Sequence, residues 1–157
     1  MPVGDSPTVR RKQVEMTLDV MANSLVYWVQ DLVAAELISD GHIFAMTSEG
    51  SEKAWPVYGP VGAAKAALES YVRQLGLELA SRNLSVNAVM AGVTATPALE
   101  KIPGADRLIE KALAKNPHNR LTRPEDVASA LVELARPGTY WLNSNILRID
   151  GGESSCA

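Results

Sequence analysis

Apolar residues recur near the start of the chain at the three- and four-residue spacing of an α-helix, with no proline among them. This pattern predicts one long helix from Thr8 to about Ile38, followed by a stop signal at Ser39-Asp40-Gly41. The residues before it, 1–7, carry no periodic pattern and are predicted to form a disordered lead-in. The predicted helix is long for a chain of 157 residues.

Three short apolar runs bounded by turn residues predict buried strands at 42–47, 84–90 and 146–149. Helical patterns separate these runs, at 59–81, 106–115 and 124 to about 135. Thr122 and Glu125 predict a capping box at the start of the last helix. Strands that alternate with helices favour an α/β fold, here a Rossmann-like three-layer sandwich with a partial parallel sheet of about three strands and helices on both faces.

The composition, with 46% hydrophobic and 21% charged residues and a net charge of −3, is that of a globular domain. Acidic and basic residues are interspersed, which argues against a nucleic-acid interface. We expect neither a membrane span nor a signal peptide, and the lone Cys156 favours a cytoplasmic location. His42 and His118 lack companions at metal-ligand spacing, so no metal site is predicted.

Three residues between the first and second predicted strands suggest proton-transfer chemistry. Tyr58 directly precedes a predicted helix, and Lys65, seven residues later, lies on nearly the same helix face with its side chain tilted back toward Tyr58. A cation near a phenol stabilises the phenolate, and Ser48, just past a strand, is placed to contact a substrate carbonyl. A tyrosine at a helix start and a solvated lysine at this spacing also occur by chance. The surrounding sequence is therefore needed to tell a catalytic pair from two ordinary residues.

The segment Tyr58-Gly-Pro-Val-Gly-Ala-Ala-Lys65-Ala-Ala-Leu-Glu69 resembles the active-site helix of the short-chain dehydrogenase/reductases. Six residues separate its tyrosine from its lysine, as in the enoyl-acyl-carrier-protein reductase branch, whereas other members of the superfamily have three. Residues 46–58 are similar to the strand-to-tyrosine loop of that branch. The resemblance implies that Tyr58 stabilises the enolate oxygen and supplies a proton, that Lys65 binds the cofactor ribose, and that Ser48 assists at the carbonyl.

Further landmarks follow in the family's order. Residues 86–97 are similar to the segment after the sixth family strand, which implies that Thr96 contacts the nicotinamide amide and that Gly92 and Val93 lie near the ring. Residues 119–128 and 149–152 resemble the arginine/proline/glutamate helix entry and the closing motif. Three positions depart from the common pattern: Met21 for an active-site asparagine (also absent from enoyl reductases), Ala91 for a proline and Ser144 for a glycine.

The resemblance implies an enzyme that uses NADH or NADPH to reduce the double bond of an enoyl thioester in fatty-acid synthesis. Two alternatives stay open: a carbonyl or 3-oxoacyl reductase of the same superfamily, and a non-catalytic dimerisation or scaffold module. The family's helices at 8–38 and 59–81 imply a homodimer or homotetramer. Trp28 and Trp55 are either part of an acyl-chain channel or core and interface residues.

No glycine-rich turn between a strand and a helix is present to bind the pyrophosphate of such a cofactor. Residues 8–157 are therefore predicted to be the C-terminal part of a Rossmann-like domain whose nucleotide-binding half is absent. Three explanations remain: a truncated or partly recorded reductase, a short natural relative that dimerises or binds, or a second chain that supplies the missing half. Without the missing strands, the apolar edge of the strand at 42–47 has no partner strand within this chain.

Overall fold

A computed structural model describes residues 9–102 and 104–156, so the predicted lead-in at 1–7 lies outside the described residues. The helices and strands follow each other in the order α1 (Arg11–Leu18), a π-helical turn (Asp19–Asn23), α2 (Ser24–Ala34), β1 (Gly41–Thr47), α3 (Gly59–Glu78), β2 (Leu84–Ala91), α4 (Ala105–Lys115), α5 (Pro124–Leu134) and β3 (Ile146–Ile149). The three predicted strands are confirmed within one residue at each end.

The strands form one parallel sheet in the order β1-β2-β3, which confirms the predicted α/β class. In the register of the sheet, Ala45 of β1 lies beside Ala88 of β2, and Ala88 lies beside Ile146 of β3. The central strand β2 is buried from Leu84 to Met90. A strand buried along its whole length requires cover on both faces of the sheet.

Alternate residues of the strands face the two layers of helices. One face of the sheet packs against α3 and the N-terminal helices to form a hydrophobic core. This core contains Ala45, Val86 and Ala88 of the strands, Ala64, Leu68, Val72 and Leu75 of α3, and Ala22 and Val29 of the N-terminal helices. On the opposite face, the His42 ring contacts the Ser85 hydroxyl at 2.7 Å and the Arg136 carbonyl oxygen, just past α5, at 3.1 Å. Helices therefore cover both faces of the sheet, as the sequence pattern predicts.

The first helix is shorter than the prediction of Thr8 to about Ile38. It begins at Arg11, passes through the π-helical turn and ends at Ala34. Glu36 then adopts the left-handed conformation (φ +54°), and the Leu37 amide donates to the Leu32 carbonyl at 2.9 Å. This closing bond satisfies a terminal carbonyl before the Ser39-Asp40-Gly41 signal is reached.

The predicted capping box of Thr122 and Glu125 is wrong by one residue. Arg123 is the N-cap of α5, and its backbone N–H donates to the carboxylate of Asp126 at 2.8 Å. Thr122 is buried, and its own N–H donates to the Val93 carbonyl at 3.1 Å. Because the Thr122 backbone is held by the segment after β2, the helix starts one position later.

The turn before β3 holds Ser144 in a backbone conformation that glycine favours. Ser144 has φ +62°, in the left-handed region where glycine is favoured. A glycine at this position would be unstrained, which agrees with the glycine that the resemblance implies here. Ser144 keeps the same turn, since its amide donates to the Val86 carbonyl at 2.8 Å.

Candidate active site

The candidate site lies at the carboxyl-terminal edge of the sheet. Because the strands are parallel, β1, β2 and β3 end at this same edge, with Thr47, Ala91 and Ile149 as their last residues. Ser48 follows β1, and Gly92 follows β2. Ligands of open α/β sheets bind in the crevice outside the carboxyl ends of the strands.

Tyr58 and Ser48 lie close together in the structure. Tyr58 is the N-cap residue of α3, and its hydroxyl oxygen lies 3.4 Å from the Ser48 hydroxyl oxygen, with either group able to donate. Gly50 makes this approach possible, because a Cβ at that position would collide with the Tyr58 ring. A Cβ at Gly62 would in turn meet the Gly50 carbonyl oxygen. Two glycines thus let the turn after β1 seat the tyrosine.

Lys65 lies almost two helical turns beyond Tyr58, and its ammonium is anchored to β1. Its Nζ donates to the Met46 carbonyl oxygen at 2.7 Å. Burial lowers the pKa of Lys65, and the negative charge of Glu69 raises it in part. An ammonium has three N–H donors, so the bond to Met46 leaves others for a ligand.

Glu69 is a residue of this region to which the sequence reasoning assigned no role. It is only 6% exposed and accepts a 2.6 Å hydrogen bond from the Thr47 hydroxyl, the last residue of β1. The available signal was an acidic residue four positions after Lys65, on a helix face otherwise occupied by apolar Leu68 and Val72. A charged residue in such a stripe is seldom buried without a partner.

The segment after β2 carries Gly92, Val93 and Thr96, all half-buried at the same edge of the sheet. The Val93 N–H faces both carboxylate oxygens of Glu153, at 3.2 and 3.3 Å, and its carbonyl accepts from the Thr122 N–H. Within the described residues, no hydrogen bond joins this segment to Ser48, Tyr58 or Lys65. The two groups of predicted residues therefore share an edge but are held by different partners.

Glu153 also went unnoticed in the sequence. It is 8% exposed, and burial raises the pKa of its carboxyl group, an effect that the Val93 N–H reduces and the charges of Glu49 and Asp150 increase. Its position just after the Asp150-Gly151-Gly152 turn gives no sign that it folds back onto the end of β2. Only the tertiary structure shows that contact.

The loop before α3 lines a cavity of about 540 Å³ beside Tyr58. Trp55 lines this cavity, and its ring also lies 4.9 Å from the Lys111 ammonium of α4, a cation–π contact. Trp28, in contrast, is 69% exposed on α2. Of these two tryptophans, Trp55 therefore lines the cavity beside Tyr58, whereas Trp28 lies at the surface.

Two classes of site are absent from the described part of the chain. Over residues 9–102 and 104–156 no three histidine, cysteine, aspartate or glutamate side chains cluster as metal ligands would. The helices within the same ranges are too short or too polar to cross a bilayer.

The sequence and fold match known oxidoreductases. Residues 3–154 match the family model of enoyl-(acyl carrier protein) reductase. The chain is 30% identical over 142 residues to the NADH-dependent enoyl-[acyl-carrier-protein] reductase of Aquifex aeolicus, covering 90% of this chain and 53% of that protein. It is 37% identical over 101 residues to the 3-oxoacyl-[acyl-carrier-protein] reductase of Thermotoga maritima, covering 61% of this chain and 40% of that protein.

Among solved structures, an enoyl-[acyl-carrier-protein] reductase–NADH complex from Alistipes finegoldii superposes with a TM-score of 0.89 at 25% identity, covering 95% of this chain and 53% of that one. The chain thus spans about half the length of the curated relatives it matches. The family match, the relatives and the shared fold agree with the predicted resemblance. The chain belongs to the enoyl-(acyl carrier protein) reductase family of the short-chain dehydrogenase/reductase superfamily.

Proposed function

We propose that this chain is the catalytic part of an NADH- or NADPH-dependent reductase that saturates the carbon–carbon double bond of an enoyl thioester. The observation that carries the proposal is the distance of 3.4 Å between the hydroxyl oxygens of Ser48, after β1, and Tyr58, at the start of α3. Lys65 of the same helix donates to Met46 near the end of β1. The six-residue interval between Tyr58 and Lys65 supports the enoyl branch. Residues 8–157 would then be part of a longer Rossmann-like domain.

The residues at this edge fit a nicotinamide nucleotide. The half-buried Lys65 ammonium has donors left for ribose hydroxyls, and its bond to the Met46 carbonyl fixes where they point. Gly92, Val93 and Thr96 lie at the end of the neighbouring strand, where we place the nicotinamide. When bound, the reduced cofactor supplies the hydride.

The side chains of the chain itself would handle the proton and the developing charge. The Tyr58 hydroxyl donates to the thioester carbonyl oxygen, where negative charge grows as the double bond is reduced. Ser48 shares the hydrogen bond with Tyr58 and contacts the same oxygen from a second direction. Lys65 brings a positive charge to the same helix, where the Met46 carbonyl holds its ammonium at the end of β1.

Oxidation of NADH and of NADPH by the purified chain, followed by absorbance, tests this proposal with crotonyl and acetoacetyl thioesters as paired substrates. Faster turnover of the crotonyl thioester is the expected result. Turnover of the acetoacetyl thioester alone would favour the 3-oxoacyl reductase, the alternative supported by the Thermotoga maritima relative. Absence of both activities, with no nucleotide binding at millimolar concentration, would favour a non-catalytic scaffold.

We further propose that the chain assembles as a homodimer or homotetramer through its N-terminal helices and α3. Met16, Val20, Tyr27 and Trp28 expose between 50% and 69% of their surfaces on α1, the π-helical turn and α2. Ala63 and Ala66 are exposed on α3, and small side chains allow close helix contact. Sedimentation of Trp28→Glu beside the unaltered chain tests this, with dissociation toward the monomer expected.

The single thiol, Cys156, agrees with a cytoplasmic location.

A further inference from the structure

A buried acid stands behind the candidate site without a role in the proposed chemistry. Glu69 lies on α3 one helical turn after Lys65 and is 6% exposed. Removing a carboxylate from water is costly unless hydrogen bonds and an opposite charge compensate for it. The compensation at Glu69 comes from both sources, since the Thr47 hydroxyl donates to it and Lys65 carries the nearby positive charge.

Two adjacent hydrogen bonds join the end of β1 to α3. Lys65 donates to the carbonyl of Met46 at 2.7 Å, and the hydroxyl of Thr47, the next residue, donates to Glu69 at 2.6 Å. Lys65 and Glu69 are four positions apart, so they project from the same face of the helix. We call this pair of bonds the β1–α3 clamp. Ser48 follows it directly, so the clamp fixes the strand end from which Ser48 reaches Tyr58.

We propose that Glu69 is a positioning residue for the nucleotide-binding ammonium: it holds Lys65 in its charged form and, through Thr47, fixes the end of β1 from which Lys65 and Ser48 act. This inference rests on the proposed function for the identity of the ligand. The roles of Lys65 and Ser48 belong to that function, whereas Glu69 acts through them and touches no reacting atom.

The electrostatic part of the argument follows from the burial of Lys65. Burial lowers the pKa of this ammonium, and the Glu69 carboxylate opposes that change. The groups that Lys65 and Glu69 contact at this end of β1, the Met46 carbonyl and the Thr47 hydroxyl, are neutral, and the charged Glu49 and Lys53 of the following turn pair with each other. A ligand over the site would exclude more water, so the charge of Glu69 would matter most in the bound state.

The Lys65 titration tests the proposal directly. The chain is labelled with ¹³C at the lysine ε-carbons and studied by NMR. The Lys65 signal is the one that disappears in Lys65→Met, and its chemical shift is measured as a function of pH. Glu69→Gln keeps the size and an acceptor for Thr47 but removes the charge, and a lower Lys65 pKa is expected. Glu78→Gln is the matched control on the exposed side of the same helix and should leave the Lys65 pKa unchanged.

A second variant separates charge from the hydrogen bond. Thr47→Val removes the hydroxyl and keeps the Glu69 charge. Amide hydrogen exchange at the end of β1 should become faster in this variant. The pKa of Lys65 should stay higher than in Glu69→Gln. An unchanged Lys65 pKa in Glu69→Gln, or an equal shift in Glu78→Gln, would overturn the proposal. If circular dichroism shows Glu69→Gln to be unfolded, Glu69→Asp takes its place, with a smaller downward shift expected and no shift contradicting it.

These measurements need neither nucleotide nor substrate. A chain that fails to bind nucleotide or to turn over would contradict the proposed function, yet the Lys65 titration would still decide the role of Glu69. The two failures are therefore distinguishable.

Discussion

The two sides of the carboxyl-terminal edge are built differently. On the β1–α3 side, side chains from a strand end and a helix meet each other: Ser48 with Tyr58, and Thr47 with Glu69. On the side after β2, the contacts are made by the backbone of Val93. Its N–H faces the Glu153 carboxylate, and its carbonyl accepts from the Thr122 N–H.

This difference separates chemistry from support. The Tyr58 and Ser48 hydroxyls and the Lys65 ammonium have hydrogen-bonding capacity left for a ligand, and glycines shape the space around Tyr58. The Val93 N–H is already occupied by a carboxylate, so the segment after β2 is fixed by Glu153 in the structure as it stands. Changes on the first side should therefore alter catalysis, and a change of Glu153 on the second side should alter stability and its pH dependence.

The largest effect is expected from Tyr58→Phe, which removes the proposed proton donor and leaves the ring in place. Turnover of the crotonyl thioester should fall by at least about 10²-fold, the contribution typical of general acid catalysis. The steady-state kcat measures it, with Tyr140→Phe, an exposed tyrosine remote from the edge, as the control. Turnover of Tyr58→Phe equal to that of the unaltered chain would rule out the role.

Ser48→Ala should have a smaller effect on the same side of the comparison. It removes one hydrogen bond to Tyr58 and to the carbonyl oxygen, so kcat should fall about tenfold. Ser70→Ala, an exposed position on α3, serves as the control and should retain full turnover. A fall in Ser48→Ala as large as that of Tyr58→Phe would mean that the serine does more than assist.

Glu153→Gln tests the other side, where we expect the smallest effect. Burial raises the pKa of Glu153 above its ordinary value of 4.5, so the folded chain binds this proton more tightly than the unfolded chain. In the pH window just above that value, this residue therefore makes the free energy of unfolding fall as pH rises. Glu153→Gln has no such proton to lose but keeps an acceptor for the Val93 N–H.

Urea unfolding at a series of pH values measures the prediction. The stability of Glu153→Gln relative to the unaltered chain should increase through that window and then become constant. Glu110→Gln, an exposed change on α4, should show no such trend. A relative stability of Glu153→Gln that decreases with rising pH would show that the carboxylate form is the preferred one.

Local sequence patterns predicted most of the fold but few of the contacts within the candidate site. Short apolar runs gave the three strands, and the interval from Tyr58 to Lys65 placed both on one helix face because helical spacing is regular. The end of the first helix was missed because its closing turn holds Glu36 in a left-handed conformation. Glutamate seldom adopts this conformation, so the residue type gave no sign of the turn. The cap of α5 was missed because the Thr122 backbone is bound to Val93, distant in sequence.

The supporting acids escaped prediction for the same reason. Glu69 and Glu153 are ordinary surface residue types, and their partners Thr47 and Val93 lie 22 and 60 positions away. No local pattern reports such a contact. Burial of a carboxylate becomes visible only when strands and helices are packed together.

Nucleotide binding tests the central claim most directly, because the claim makes Lys65 a ligand for the cofactor. NADH and NADPH are titrated by calorimetry into the longer Rossmann-like domain that we propose contains residues 8–157, unaltered and as Lys65→Met, with Lys115→Met, an exposed change at the end of α4, as the control. The account predicts binding of at least one nucleotide and an affinity at least about tenfold weaker in Lys65→Met alone. Equal affinity in Lys65→Met and the unaltered chain, or binding of neither nucleotide, would contradict it.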